Sequence, residues 1–236
     1  MSSYRIQVFF LLCGITLLVL SCKKDPMQPL TIDKSYFPLQ TGSYIIYDVD
    51  SIHYNNFYSY TDPRYFTQAI YQIKEEVDSP YIDNTGNTAY KIIRSRRDND
   101  SQPWVVTDIW SANLTDHTAE KVEENLRFVK LDFPVMLGKQ WYGNMFVETD
   151  SPYEWLDGWK YEYTTVNQSL TLGGIAFDST LTVTQQDDEN VIEQTIFIEK
   201  YAKNVGMIYK FEEHMETQPT DDPNGYIIEM TVNDFK

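Results

Sequence analysis

Hydrophobic and polar residues alternate along much of the chain from Phe37 onward, with a period of two residues. On a β-strand this period places the apolar side chains on one face, and it is typical of a half-buried strand. Aromatic and β-branched residues, which fit a pleated surface, fill many of the apolar positions. The clearest runs are residues 44–49, 68–77, 180–184, 207–212 and 226–232.

Turn signals separate these runs at intervals of about 10 to 20 residues, by the composition rules for turns. Residues 83–87, which read DNTGN, are typical of a hairpin turn. The other predicted turns are residues 172–174, 187–190, 204–206 and 222–225. Closely spaced turns favour antiparallel meanders, so the prediction is all-β, as a single antiparallel β-barrel or a strongly curved sheet.

Helix is predicted at one place in the mature chain. Residues 118–126 have a helical composition, although they run directly into the strand-like segment 127–131. No other stretch sustains a 3.6-residue period, so little helix is expected apart from the N-terminal apolar segment.

One short motif occurs twice, 96 residues apart. Residues 37–42 read FPLQTG and residues 133–138 read FPVMLG, and each precedes a predicted strand. Proline restrains the backbone at the start of the motif, and glycine permits the tight turn at its end. This repeated motif indicates either one turn design used twice or two duplicated β-units. Nothing else in the sequence matches at an offset of 96 residues.

The N-terminus carries a targeting signal. Residues 8–20 contain no charge, and Arg5 is the only charged side chain before them. A run of 13 residues is short for a membrane-spanning helix, which needs about 20 apolar residues. A signal peptide is therefore the better interpretation.

The end of this run resembles a bacterial lipobox. It reads Val-Leu-Ser-Cys and is followed at once by polar residues, with Cys22 in the modified position. The resemblance implies that residues 1–21 are a cleaved signal peptide and that Cys22 is diacylated on its thiol and acylated on its new amine. Residues 22–35 are then a polar tether and residues 36–236 an antiparallel β domain. Cys13 would leave with the signal peptide.

Longer segments are similar to small cell-envelope lipoproteins of Bacteroidota. The similarity lies in FPLQTGSYIIY at 37–47, ENLRFVKLDFP at 124–134, GKQWYGN at 138–144 and YAKNVGMIYK at 201–210. That group has no established activity, so the resemblance implies an envelope lipoprotein and no catalytic residue. It places the protein at the bacterial outer membrane, anchored through Cys22, and leaves the periplasmic and the surface-facing sides open.

Composition limits the partners. The formal charge of −16 would repel the phosphates of nucleic acid, so no nucleic-acid partner is expected. Two cysteines cannot build a disulfide framework. Removal of residues 1–21 takes away one positive charge, Arg5, and leaves an acidic body that favours solubility near an anionic membrane.

The sequence singles out no catalytic or metal-ligating residue. His53, His117 and His214 are dispersed and lack a ligand spacing, and the one candidate EF-hand glycine, Gly225, has threonine where the loop needs ligands. Serine-hydrolase, P-loop and dinucleotide motifs are absent. No cofactor or metal is predicted, and an enzyme is less favoured than a protein without catalysis.

Aromatic residues are the strongest remaining feature. Residues 151–163 contain five of them around a predicted turn at 157–158. Tyr153, Trp155, Trp159 and Tyr161 are candidate ligand-binding residues, because exposed aromatic rings stack on sugars or on protein partners. The alternative is that they pack in the core or on a sheet face, where aromatic residues are common.

Three functions from different classes follow. The first is a membrane-anchored binding or scaffold module with an unknown glycan or protein partner. The second is a half-barrel that handles lipids or other hydrophobic molecules and needs an open apolar cavity. The third is a glycan hydrolase with a pair of carboxylates roughly 5–10 Å apart, for which the 35 acidic residues single out no pair.

Overall fold

A computed structural model describes residues 32–217 and 222–236. Twelve β-strands and one short 3-10 helix, Glu154–Leu156, make up its regular structure, so the all-β prediction is confirmed. The strands are β1 Tyr44–Tyr54, β2 Phe66–Ile82, β3 Thr88–Arg97, β4 Val105–Leu114, β5 Thr118–Glu123, β6 Leu126–Asp132, β7 Gln140–Trp141, β8 Tyr161–Leu172, β9 Ile175–Glu189, β10 Glu193–Ala202, β11 Gly206–Glu216 and β12 Asn224–Phe235.

All twelve strands belong to one antiparallel sheet, which consists of two consecutive six-stranded meanders. The order is β6-β5-β4-β3-β2-β1-β12-β11-β10-β9-β8-β7, so pairing of β1 with β12 joins the two meanders. The outer edges also meet, because the Val129 N–H donates to the Gly143 carbonyl at 2.6 Å. The Trp141 indole N–H donates to the Val129 carbonyl at 2.8 Å. We call this junction the seam; it makes the sheet a nearly closed barrel.

The repeated motif forms the same turn at the start of each meander. Gly42 N–H donates to the Val77 carbonyl on β2 at 2.8 Å, and Gly138 N–H donates to the Tyr163 carbonyl on β8 at 2.9 Å. Both glycines have a positive φ, +84° and +76°, which explains why glycine ends the motif. Each six-stranded meander is therefore preceded by the same glycine turn.

The helix predicted at residues 118–126 is wrong. This stretch forms β5, a tight turn and the start of β6. Glu124 and Asn125 adopt φ values of +50° and +66°, as a two-residue hairpin turn between right-twisted strands requires. Pairing with β4 on one side and β6 on the other outweighs the helical propensity of the segment.

Two predicted turns fall partly within strands. β9 continues to Glu189, and β12 begins at Asn224. The turn predicted at 83–87 lies between β2 and β3, and those predicted at 172–174 and 204–206 each share one terminal residue with a strand. Within the described ranges, no helix is long and apolar enough to cross a membrane.

The largest apolar cluster is rich in aromatic side chains and lies beside the seam. It includes Trp141, Tyr161 and Tyr163 near the seam, and Leu181 and Val183 from β9. Aromatic side chains bury large apolar areas, which explains why strand-forming aromatic residues also serve as the core here. The same interior also contains charged side chains, and these define the site.

Candidate functional site

A chain of ion pairs crosses the barrel interior. The Lys121 ammonium lies 2.8 Å from a Glu75 oxygen and 3.2 Å from a Glu123 oxygen. The Lys130 ammonium lies 3.1 Å from the other Glu123 oxygen and 2.7 Å from Glu199. These five residues come from β2, β5, β6 and β10, so the chain ties together both meanders.

The ion pairs keep these groups charged despite their burial. Burial by itself would raise the pKa of Glu123, but Lys130 and Lys121 beside it lower that pKa well below its usual range. Burial would also raise the pKa of Glu199, and Lys130 lowers it. Conversely, burial would lower the pKa of Lys130, and the two glutamates raise it well above its usual value.

This arrangement does not favour glycoside hydrolysis. A general acid in such an enzyme needs a carboxyl group whose pKa is raised. Glu123 and Glu199 contact the same ammonium and have lowered pKa values. Among the residues that the structure describes, only Glu213 is a carboxyl group with a clearly raised pKa, caused by partial burial. A hydrolase with a paired carboxylate therefore gains no support.

The first of two cavities beside the ion-pair chain is the lumen cavity. It holds about 620 Å³ of empty space, part of it open to solvent. Ile45, Val77 and Ile92 belong to its apolar walls, and Phe37 and Leu39 from the segment before β1 also line it. Glu75, Lys121, Glu123 and Lys130 line its charged side.

The second cavity is the aromatic pocket, with about 310 Å³ of empty space, part of it open to solvent. Trp155, Trp159 and Phe197 line it, with Trp159 and Phe197 in edge-to-face contact at 4.9 Å between ring centroids. Trp155 is 50% exposed, whereas Trp159 and Phe197 are each 5% exposed. Glu123 and Lys130 line both cavities, so the ion-pair chain separates them.

Local packing holds the aromatic pocket in shape. The 3-10 helix carries Trp155, and its Leu156 side chain is 2% exposed. The Asn144 amide donates to the Leu156 carbonyl, which fixes the helix against the preceding loop. Trp155 and Trp159 are in edge-to-face contact at 5.2 Å, so they form one rigid wall.

One polar group in the aromatic pocket has no partner within the described part of the protein. Gln185 on β9 is 4% exposed and lines the pocket, and its amide nitrogen Nε2 makes no hydrogen bond. Leaving a buried donor unpaired costs about 1–3 kcal/mol. An acceptor in the pocket, from a ligand or from an ordered water, would pair this donor.

The structure places three of the four candidate aromatic residues in this pocket. Trp155, Trp159 and Tyr161 line it, with Tyr161 buried and Trp155 half exposed. Tyr153 packs against the apolar core beside them. Their role in binding remains a prediction. Cys22, the predicted lipidation site, lies outside the described residues.

Sequence reasoning missed Gln185, Phe197, Lys210 and Glu212, which also line the aromatic pocket. A signal for Gln185 was present, because it continues the period-two row of Leu181 and Val183. Both of these side chains are fully buried. An amide in a row of inward-facing apolar positions indicates a polar group in the core.

The histidines do not gather into a metal site. His53 and His214 lie on either side of the Tyr226 ring, at 5.9 and 6.2 Å between centroids, and His117 lies in the β4–β5 turn. Within the described residues, no group of three or more His, Cys, Asp or Glu side chains is placed to hold a metal ion.

Comparison with known proteins gives little more than distant structural likeness. No family model matches the chain. No curated protein matches it. A Bacteroides fragilis "putative exported protein with YmcC-like fold" aligns with TM-score 0.44 at 11% identity, over 85% of this chain and 98% of that one. A "putative lipoprotein" from Parabacteroides distasonis aligns with TM-score 0.42, at the same identity and coverage. Likenesses this low carry no inference about function.

Proposed function

We propose that the chain is a cell-envelope lipoprotein, acylated at Cys22 and held at the bacterial outer membrane, whose β body is a binding module. The order of apolar run, Ser21, Cys22 and polar switch supports the anchor. Three acyl chains hold a protein firmly, at about 0.8 kcal/mol per buried methylene. The part of the tether from Cys22 to Ile32 spans ten residues, at most about 36 Å when extended.

The aromatic pocket is the observation that carries the binding role. It combines a half-exposed tryptophan, Trp155, with buried polar groups from β6 and β9 and partly buried ones from β11. Binding sites have this composition, with apolar walls and a few fixed polar groups. Because the neighbouring glutamates are held in ion pairs, binding without chemistry is the best-supported use of the site.

The anchor is tested by replacing Cys22 in the full chain. We expect Cys22→Ser to lose incorporation of a clickable fatty acid and to leave the membrane fraction, because the thiol is the point of acylation. Cys13→Ser is the matched control, and it should be labelled like the wild type because Cys13 lies in the segment removed. Membrane retention with normal labelling in Cys22→Ser would refute the anchor. Protease treatment of intact cells would then separate surface from periplasmic display.

The binding role is tested with a small-fragment set on the purified full chain. Saturation-transfer NMR identifies fragments that bind, and Trp155→Ala should abolish binding at the aromatic pocket. Trp104→Ala is the matched control, since Trp104 packs on Arg97 and Lys74 and does not line this pocket. If no fragment binds the wild type, or if every fragment that binds it also binds Trp155→Ala equally well, the proposed role is contradicted.

The lumen cavity favours a second candidate function, handling of a hydrophobic molecule. Its walls are apolar, and Phe37 and Leu39 of the segment that leads from the tether line it. Organic extraction of the purified protein followed by mass spectrometry should recover a bound hydrophobic compound. Ile92→Trp, which fills the cavity, should reduce the amount recovered. Equal amounts from the two proteins would exclude the lumen cavity as the site.

A further inference from the structure

We infer that the aromatic pocket binds one neutral, hydroxyl-rich ring, the terminal sugar residue of a glycan. The inference rests on the proposed binding role and specifies its ligand. Three observations carry it: the aromatic wall, the unpartnered amide of Gln185, and the balance of charge around the pocket.

The wall provides the apolar contact. Trp155 and Trp159 meet edge to face, and Trp155 leaves half of its surface to solvent although its neighbours are buried. A sugar ring presents a face of C–H groups that packs on such an indole, while its hydroxyl groups point sideways. An extended apolar chain would gain the same contact but would leave the Gln185 amide unpaired.

The polar groups around the pocket favour a ligand that forms hydrogen bonds over a ligand that carries a net charge. The Lys210 ammonium lies 2.7 Å from Glu212, and Lys130 lies 3.1 Å from Glu123, so the four charges that line the pocket cancel in pairs. A charged ligand would meet its own sign as often as the opposite sign. A neutral ligand with hydroxyl groups can donate to the carboxylates and accept from the ammonium groups at once.

Gln185 adds a donor that no described protein group satisfies. Its Nε2 is buried and unpaired, and a sugar oxygen in the pocket would pair it. Glu123 and Lys130 close the inner end of the pocket, so a glycan chain cannot pass through it. The terminal sugar of a glycan therefore fits the pocket better than an internal sugar.

The test is a glycan array of defined mono- and oligosaccharides probed with the full chain. The protein is held in a detergent without a sugar headgroup, so that the detergent does not compete. We expect binding to glycans that share one terminal residue, and quenching of tryptophan fluorescence when the corresponding methyl glycoside is titrated. Capping that residue with a further sugar should abolish binding.

Variants make the assignment specific. Trp155→Ala should abolish detectable binding, and Gln185→Leu should weaken it about two- to tenfold, the loss of one hydrogen bond. Gln185→Leu should fold at least as stably as the wild type, because it removes an unpaired buried donor. Trp104→Ala should bind like the wild type. A role of Gln185 in stability alone would change the melting temperature and leave binding unchanged.

Three results would overturn the inference. They are no binding to any glycan, binding that survives both pocket changes, or binding only of aromatic or charged fragments. The last result would keep the binding role and reject the sugar. Because Cys22→Ser concerns the anchor, its purified product should retain sugar binding, so failure of the anchor and failure of the sugar are separate outcomes.

Discussion

At the scale of single residues, Lys130 has the most demanding environment. It is 5% exposed and lies between Glu123 and Glu199, with Glu199 only 1% exposed. Removing one partner of a buried ion pair leaves an uncompensated charge, which costs far more than the net contribution of the intact pair. The interior charges therefore make the fold sensitive to single substitutions.

We expect Lys130→Met to lower the free energy of unfolding by about 3–5 kcal/mol, measured by urea denaturation. Lys34→Met is the matched control, because Lys34 pairs with Asp116 at the surface, where Asp116 is 89% exposed. That change should cost about 0–1 kcal/mol. Equal losses in the two variants would contradict a stabilising role for the interior chain.

The same residues predict how stability depends on pH. The pKa values of Glu123 and Glu199 are lowered in the folded state, so the stability they contribute is present above their unfolded pKa, about 4.3, and is lost as pH falls below it. The pKa of Lys130 is raised, so its contribution is present below about 10.4 and is lost as pH rises through the folded value.

We therefore expect the unfolding free energy to be level from about pH 5 to 10 as far as these groups are concerned, and to fall in acid. Glu199→Gln should show a shallower fall between pH 5 and 3 than the wild type, measured by denaturant titration at each pH. Glu154→Gln, at an exposed position, should keep the wild-type slope. Identical slopes in all three proteins would exclude the linkage.

At the scale of elements, the seam depends on a close approach of backbone to ring. A Cβ atom on Gly143 would collide with the Tyr161 ring, and the Gly143 carbonyl accepts the hydrogen bond from Val129 that joins β6 to the β7 side. Glycine is used here for space, since Gly143 is not among the residues with positive φ.

We expect Gly143→Ala to destabilise the protein by about 1–3 kcal/mol through overpacking. Tyr161→Leu in the same chain removes the ring, so the double variant should lose less than the two single variants together. Chemical denaturation of the four proteins measures this coupling. If the losses of the two single variants add strictly in the double variant, the collision of the Cβ atom is relieved by residues other than Tyr161.

At the scale of the whole molecule, the two meanders complete each other. The buried pair of Lys130 and Glu199 joins β6 of the first meander to β10 of the second. The aromatic core also draws on both, with Leu131 from the first and Tyr163 from the second. Neither meander therefore encloses a full core alone, although both begin with the same turn.

We expect fragments 36–132 and 133–236 to be unfolded or aggregated when expressed separately, and to recover strand structure when co-expressed. Each fragment alone exposes the inner face of a curved sheet, and the division separates buried Lys130 from buried Glu199. Far-UV circular dichroism and amide hydrogen exchange measure the outcome. A stable isolated fragment would show that one meander is a domain in its own right.

The amino-acid sequence alone determined the strand character, most turn positions and the candidate aromatic segment, because alternation and turn composition act over a few residues. Tertiary structure decided that residues 118–126 form a hairpin and that Trp159 and Tyr161 are buried while Trp155 is half exposed. It also decided that Lys130 meets Glu199, 69 residues away in sequence. Curvature of the sheet creates such contacts, and no local pattern encodes them.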